Sequence, residues 1–156
     1  MAQVSTSNPV LEANTQLEGK GTSFRVVLWW AVVVGVLQAL SPAAFWWLER
    51  DLVWATSLVI IASIYVGFAV ADGRPKIIAA ELVVTTCFIV MALVAVTVSP
   101  WLVVLGLVGH GAKDLWQHRT RFVANTRWWP PFCFVVDCVA AVAVAALLIA
   151  GVDFWN

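Results

Sequence analysis

The stretch "DGRPKIIAAELVVTTCFIVMALVAVTVSP", Asp72 to Pro100, decides the fold. Between Lys76 and Ser99 the run is apolar except for the carboxylate of Glu81 and three hydroxyls. At about 1.5 Å per residue its length matches the roughly 30 Å hydrocarbon core of a bilayer. Both flanks carry helix punctuation. Gly73 suits a left-handed stop, and Pro75 suits a first helical turn. Ser99 suits an N-cap, with Pro100 behind it opening the next helix. A backbone crossing lipid must satisfy its own hydrogen bonds, so the run is expected to be a helix.

Working outward, four more apolar runs of similar length cover residues 24–48, 52–72, 100–118 and 132–152, with this one at 77–98. "ERD" (Glu49 to Asp51) separates the first two, being too charged to bury. "RTRFVANTRWWPP", residues 119–131, separates the last two. Ser41-Pro42 is expected to kink the first helix near its end. Residues 1–23 are polar with no apolar period and read as a disordered tail. Across all 156 residues, 62% are hydrophobic and only 12% charged, with a mean hydropathy of +0.92. That leaves too little polar surface to coat a water-soluble particle. The expectation is therefore an all-α polytopic membrane protein, a single bundle of five transmembrane helices. Zero formal net charge argues against a nucleic-acid partner.

Orientation follows from the loops. With five spans, Lys20, Arg25, Arg74, Lys76, Arg119, Arg121 and Arg127 lie on one side, and Arg50 alone on the other. The positive-inside rule puts the N-terminal tail in the cytoplasm and the C-terminus outside, in a cell (inner) membrane. Trp46, Trp47, Trp54, Trp101 and Trp155 fall at the outer ends, and Trp116, Trp128 and Trp129 at the inner ends. Trp29 and Trp30 lie within about two turns of the inner end, so the tryptophans read as aromatic belts. Small residues at spacings of four (Ala141 and Ala145, Ala146 and Ala150), with Gly106 and Gly109, offer faces for close helix packing and for a homo-oligomer. Cys87, Cys133 and Cys138 form no CxxC pair and read as buried free thiols.

Several polar side chains do not belong in lipid. Counted from the cytoplasmic ends, Asp114 and Glu81 are about 6 Å deep, Asp137 about 8–9 Å, Tyr65 about 10 Å and His110 about 12 Å, with His118 at the boundary. Such groups are costly in hydrocarbon and usually face the bundle interior and pair. Tyr65, Glu81, His110, Asp114, His118 and Asp137 are therefore the expected lining of a cytoplasm-facing polar pocket enclosed by the second, third, fourth and fifth spans. His110, Asp114 and His118 stand at i, i+4 and i+8. The i, i+4 spacing offers two ligands to one metal, but His110 and His118 are about 12 Å apart along the axis and cannot share an ion. A mononuclear site would take His110 with Asp114, or Asp114 with His118, completed by Asp137 or Glu81. The set named is His110, Asp114 and Asp137, for a divalent zinc, iron or manganese ion. Plainer roles compete with these. Lys113 is expected to snorkel to the headgroups, His118 to complement the helix dipole, Asp72 to pair with Arg74 or Lys76, and Asp114 to pair with Arg127 or Lys113. Haem held by two histidines is disfavoured, because both lie on one helix.

The run "GHGAKDLWQHR…RWWPPFCFVVDCVAA" resembles a family of small bacterial integral membrane proteins of uncharacterised activity, through His110, Gly111, Asp114, His118, Pro130, Pro131, Cys133 and Asp137. The resemblance covers about residues 109–141 and implies no activity. Three functions then compete: a pocket for a metal ion, proton or small polar solute; a structural or assembly subunit whose polar groups set helix register; and an intramembrane enzyme with a metal-bound water and a carboxylate base. No motif decides for or against catalysis.

Overall fold

A computed structural model describes residues 9–124 and 128–152, with side chains from Phe24 onward. It is all-helical, and no strand occurs among the described residues. The helices are α1 (Pro9–Ala39), α2 (Ser41–Ala44), α3 (Arg50–Asp72), α4 (Pro75–Val98), α5 (Trp101–Thr120) and α6 (Trp129–Ile149). Three of them, α3, α4 and α6, are long and apolar enough to cross a membrane. The apolar part of α1, Phe24–Ala39, is shorter. The C-terminal half of α5 carries His110, Lys113, Asp114, Gln117 and His118, which lowers its mean hydropathy below that of its neighbours.

The helix ends follow local chemistry. Gly73 (φ 78°) closes α3 in the left-handed region, donating its N–H to the carbonyls of Ala69 and Val70. Pro75 opens α4, where the missing N–H has no partner to lose. Ser99 does not act as the expected side-chain cap. It is extended and ends α4, while Leu102 and Val103 donate back to the carbonyls of Ser99 and Pro100. Arg121 takes a left-handed φ of 50° to end α5.

The first run departs from one continuous helix over 24–48. It breaks after Ala39, where Ser41 Oγ donates to the Gln38 carbonyl at 2.6 Å, and the short α2 follows. At its other end α1 reaches back to Pro9, into the stretch expected as a tail. Proline fits a first turn, and Leu11, Glu12, Ala13, Gln16, Leu17 and Glu18 all favour helix. Residues 1–8 lie outside the described residues.

α6 lies between α1 and α5, and α3 packs along α4 and touches α5. Two glycines set these approaches. A Cβ on Gly35 of α1 would sit 2.8 Å from the Val136 carbonyl and from Val139 Cβ, so only glycine lets α1 lie against α6. A Cβ on Gly106 would collide with the Leu58 side chain and meet Met91 at 3.2 Å. Thr85 Oγ1 donates 3.1 Å to the Ala62 carbonyl and joins α4 to α3. The core gathers Trp54, Leu58, Phe88, Val103, Leu107 and Val144.

Around this core large apolar side chains point outward. Val98, Val142 and Ile149 are over 70% exposed, which water would penalise and lipid would not. Trp29, Trp30, Trp46 and Trp47 are exposed as a belt requires, and Trp101, Trp116 and Trp128 are about half exposed. Trp54 is the exception. It is buried, and its indole N–H donates 2.8 Å to the Ala39 carbonyl, satisfying an open end of α1. Trp155 and Arg127 lie outside the described residues.

Candidate metal centre

α5 carries two polar edges, and the helices beside it determine what each becomes. His110 and Asp114, one turn apart, face Asp137 of α6. His110 Nδ1 is 2.8 Å from Asp137 Oδ2 and 3.5 Å from Asp114 Oδ2. All three side chains are completely buried, and one ligand atom from each lies within 4.8 Å of the others. Gly111 faces α6 on this edge, where an added Cβ would meet Asp137 Cβ at an ordinary contact distance of 3.4 Å.

Lys113 and Gln117, also one turn apart, face Glu81 of α4. Lys113 Nζ lies 2.9 Å from Glu81 Oε2, and the Gln117 amide donates to Glu81 Oε1. Tyr65 of α3 divides the two groups. Lys113 Nζ sits 3.7 Å from the centre of its ring, His110 lies 5.7 Å away ring to ring, and its buried hydroxyl makes no hydrogen bond of regular geometry. Phe88 packs edge-on against His110 with ring centres 5.2 Å apart. Cys133, buried one turn before Asp137, is within electrostatic reach of Asp114 and Asp137.

Several ligand atoms are left over. Both oxygens of Asp114, Oδ1 of Asp137 and Nε2 of His110 are buried and make no hydrogen bond of regular geometry within the protein. Buried polar atoms are nearly always bonded, so unpartnered atoms on all three residues of one buried cluster are unusual. Tetrahedral zinc-type bonds of about 2.0–2.2 Å would place neighbouring ligand atoms roughly 3.3–3.6 Å apart; the 3.5 Å contact of His110 with Asp114 matches that span, and the 2.8 Å contact with Asp137 is shorter, a hydrogen-bond distance. Imidazole with two carboxylates is a donor set that takes zinc, iron or manganese.

The cytoplasm-side end, as the sequence assigns it, is tied shut nearby. Arg74 donates 2.7 Å to Asp72 Oδ2 and 2.9 Å to the Phe122 carbonyl, and Asp72 Oδ2 accepts from Ala124 N–H at 2.6 Å. The hydrogen bond with Asp72 holds the Arg74 guanidinium above its ordinary range. Phe122 and Val123 thus fold back over Ala69 and Ile77.

Of the six residues named from sequence, the structure brings together Tyr65, Glu81, His110, Asp114 and Asp137. It leaves His118 exposed at the end of α5. Two steps of i+4 rotate His118 about 80° from His110, which carries it out of the interface. Lys113 does not snorkel: it folds inward onto Glu81 and Tyr65, with its side chain 12% exposed. Gln117 and Phe88 were missed. Gln117 stands at i+4 from Lys113, but no residue on α5 says that Glu81 lies opposite. Cys133 is buried as expected, whereas Cys87 and Cys138 are exposed on the apolar surface. Asp72 pairs with Arg74. Comparison with protein-family models, with curated proteins and with solved structures finds no match to this chain.

Proposed function

We propose that this chain is an integral membrane protein that binds one divalent metal ion through His110, Asp114 and Asp137. Charge balance carries this reading. Among the described residues, Glu81, Asp114 and Asp137 bring three negative charges into the core against the single ammonium of Lys113. Imidazole is neutral when it ligates a metal, so two positive charges are missing. One divalent cation supplies both. Without such compensation a buried carboxylate costs several kcal/mol, on the order of the stability a whole interface contributes.

The membrane frame that goes with this reading has five crossings, with α1 and α5 joining the three long apolar helices. The seven basic residues at the tail, the 73–76 turn and the 119–131 loop face the cytoplasm, and the C-terminus lies outside. The site is then in the inner half of the bilayer, about one to two turns from the cytoplasmic surface.

A structural reading is favoured by one observation, the 2.8 Å contact between His110 and Asp137, which a charged imidazole would make without any metal. It needs a further proton on one of the carboxyls to reach neutrality. Elemental analysis of the detergent-purified protein separates the two. Near-stoichiometric zinc, iron or manganese in the wild type, lost in His110→Ala, supports the metal site. A metal-free wild type that remains folded supports the structural network and ends the metal reading.

A further inference from the structure

We propose that the cleft between α4 and α5 is the route by which a divalent cation reaches His110, Asp114 and Asp137, and that Glu81 is the first carboxylate it meets. This rests on the cation-binding reading above. The triad has no exposed surface, so a cation can reach it only where side chains give way. The cleft has a volume of about 490 Å³, and Glu81, Lys113, Phe88, Ala112 and Trp116 are among the residues that line it. Its inner wall is therefore made from the two side chains that also touch the triad's surroundings. Phe88 lies edge-on to His110, and Lys113 lies over Tyr65.

Both can move without moving a helix. Lys113 has a long flexible stem and is the only charged side chain of the cluster with appreciable exposure. Phe88 faces Gly109, whose missing side chain leaves the space of a methyl group beside the ring. Among the described residues, α5 lies in contact with α6 at Gly111, and the strap that Asp72 and Arg74 hold at residues 122–124 brings Phe122 to the wall of the cleft.

Glu81 is almost fully buried at the cleft, with one oxygen on Lys113 and the other on Gln117. An arriving cation displaces the ammonium from this carboxylate, and Lys113 swings out toward the headgroups. Lys113 returns to Glu81 as the cation moves on, so the buried carboxylate keeps a counter-charge through the exchange. The cation then moves across α5 to Asp114 and Asp137, the two carboxylates that lack compensation.

Cobalt(II) uptake by metal-stripped protein in detergent, followed by stopped-flow visible absorption, tests the route. Ala112→Phe fills the cleft without touching a ligand, Glu81→Gln removes the first carboxylate, and Val142→Phe adds bulk on the exposed face of α6 as a control. Both Ala112→Phe and Glu81→Gln are expected to slow uptake at least tenfold. Ala112→Phe should still reach the wild-type stoichiometry, and Val142→Phe should match the wild-type rate. Ala80→Leu repeats the test from the opposite wall should Ala112→Phe fail to fold. Wild-type rates in all cleft variants overturn the route while leaving the metal site standing. A wild type that takes up no cobalt overturns both.

Discussion

Asp114 is the side chain whose effect on stability depends most directly on what it binds. It is fully buried, its nearest cationic candidate is His110 at 3.5 Å, and neither oxygen makes a regular hydrogen bond. In the presence of a chelator, Asp114→Asn removes a buried charge and is expected to melt at or above the wild-type temperature. On adding zinc at about a hundredfold above its dissociation constant, the wild type gains about 2.7 kcal/mol and the variant little. Thermal unfolding in detergent with and without zinc reads both halves. Trp54 makes a metal-independent comparison. Trp54→Phe keeps most of the packing but leaves the Ala39 carbonyl without its donor. The expected cost is about 1–2 kcal/mol in either condition, measured in the same melts. Most of the site's residues were legible one at a time, because a carboxylate or imidazole within an apolar run is costly unless it is used or paired. Lys113 and Gln117 were not, because long side chains near a helix end can lie in or out, and only the position of α4 decides it.

At the scale of the helix, close approach is the controlling quantity. α6 is held from one side by α1 at Gly35 and from the other by α5 at Gly111, and Asp137 meets His110 only if both contacts persist. Gly35→Leu pushes α1 off the Val136 carbonyl and is expected to cost about 1–3 kcal/mol by overpacking. Titration with a denaturing detergent measures it, and an unchanged midpoint would contradict the tight α1–α6 seam. Helix punctuation was largely readable. Gly73 and Pro75 do what their backbone preferences dictate, and so does the break at Ser41-Pro42. Ser99 was misassigned because a serine before a proline can end one helix as readily as it caps the next. His118 falls outside the pocket because an i+8 spacing drifts around α5 faster than the interface curves to follow it, and it lies in the last turn of α5, where the helix-dipole reading puts it. The i, i+4 pair stays within one interface, and it is the pair that the structure buries.

For the whole molecule, the surface and the core ask for different solvents. Among the described residues, bulky aliphatic side chains cover much of the outside while Glu81, His110, Asp114 and Asp137 are hidden inside, the reverse of a water-soluble bundle. The spans that were plain from hydropathy alone are α3, α4 and α6. α1 and α5 are harder to read because one is cut short at Ala39 and the other carries most of the site. Their crossing is testable by single cysteines in a cysteine-free background. Arg121→Cys is expected to react with an impermeant maleimide only after the membrane is opened, and Trp47→Cys in intact cells. The same labelling side for both would contradict an odd number of crossings between them.

The central claim concerns the immediate environment of the metal, and X-ray absorption of the zinc-loaded protein after removal of excess zinc tests it most directly. The account predicts a nitrogen and oxygen shell at about 2.0–2.2 Å with imidazole scattering, lost in His110→Ala. A shell dominated by sulfur at about 2.3 Å would move the site to a thiol such as Cys133, and no retained zinc would contradict the account outright.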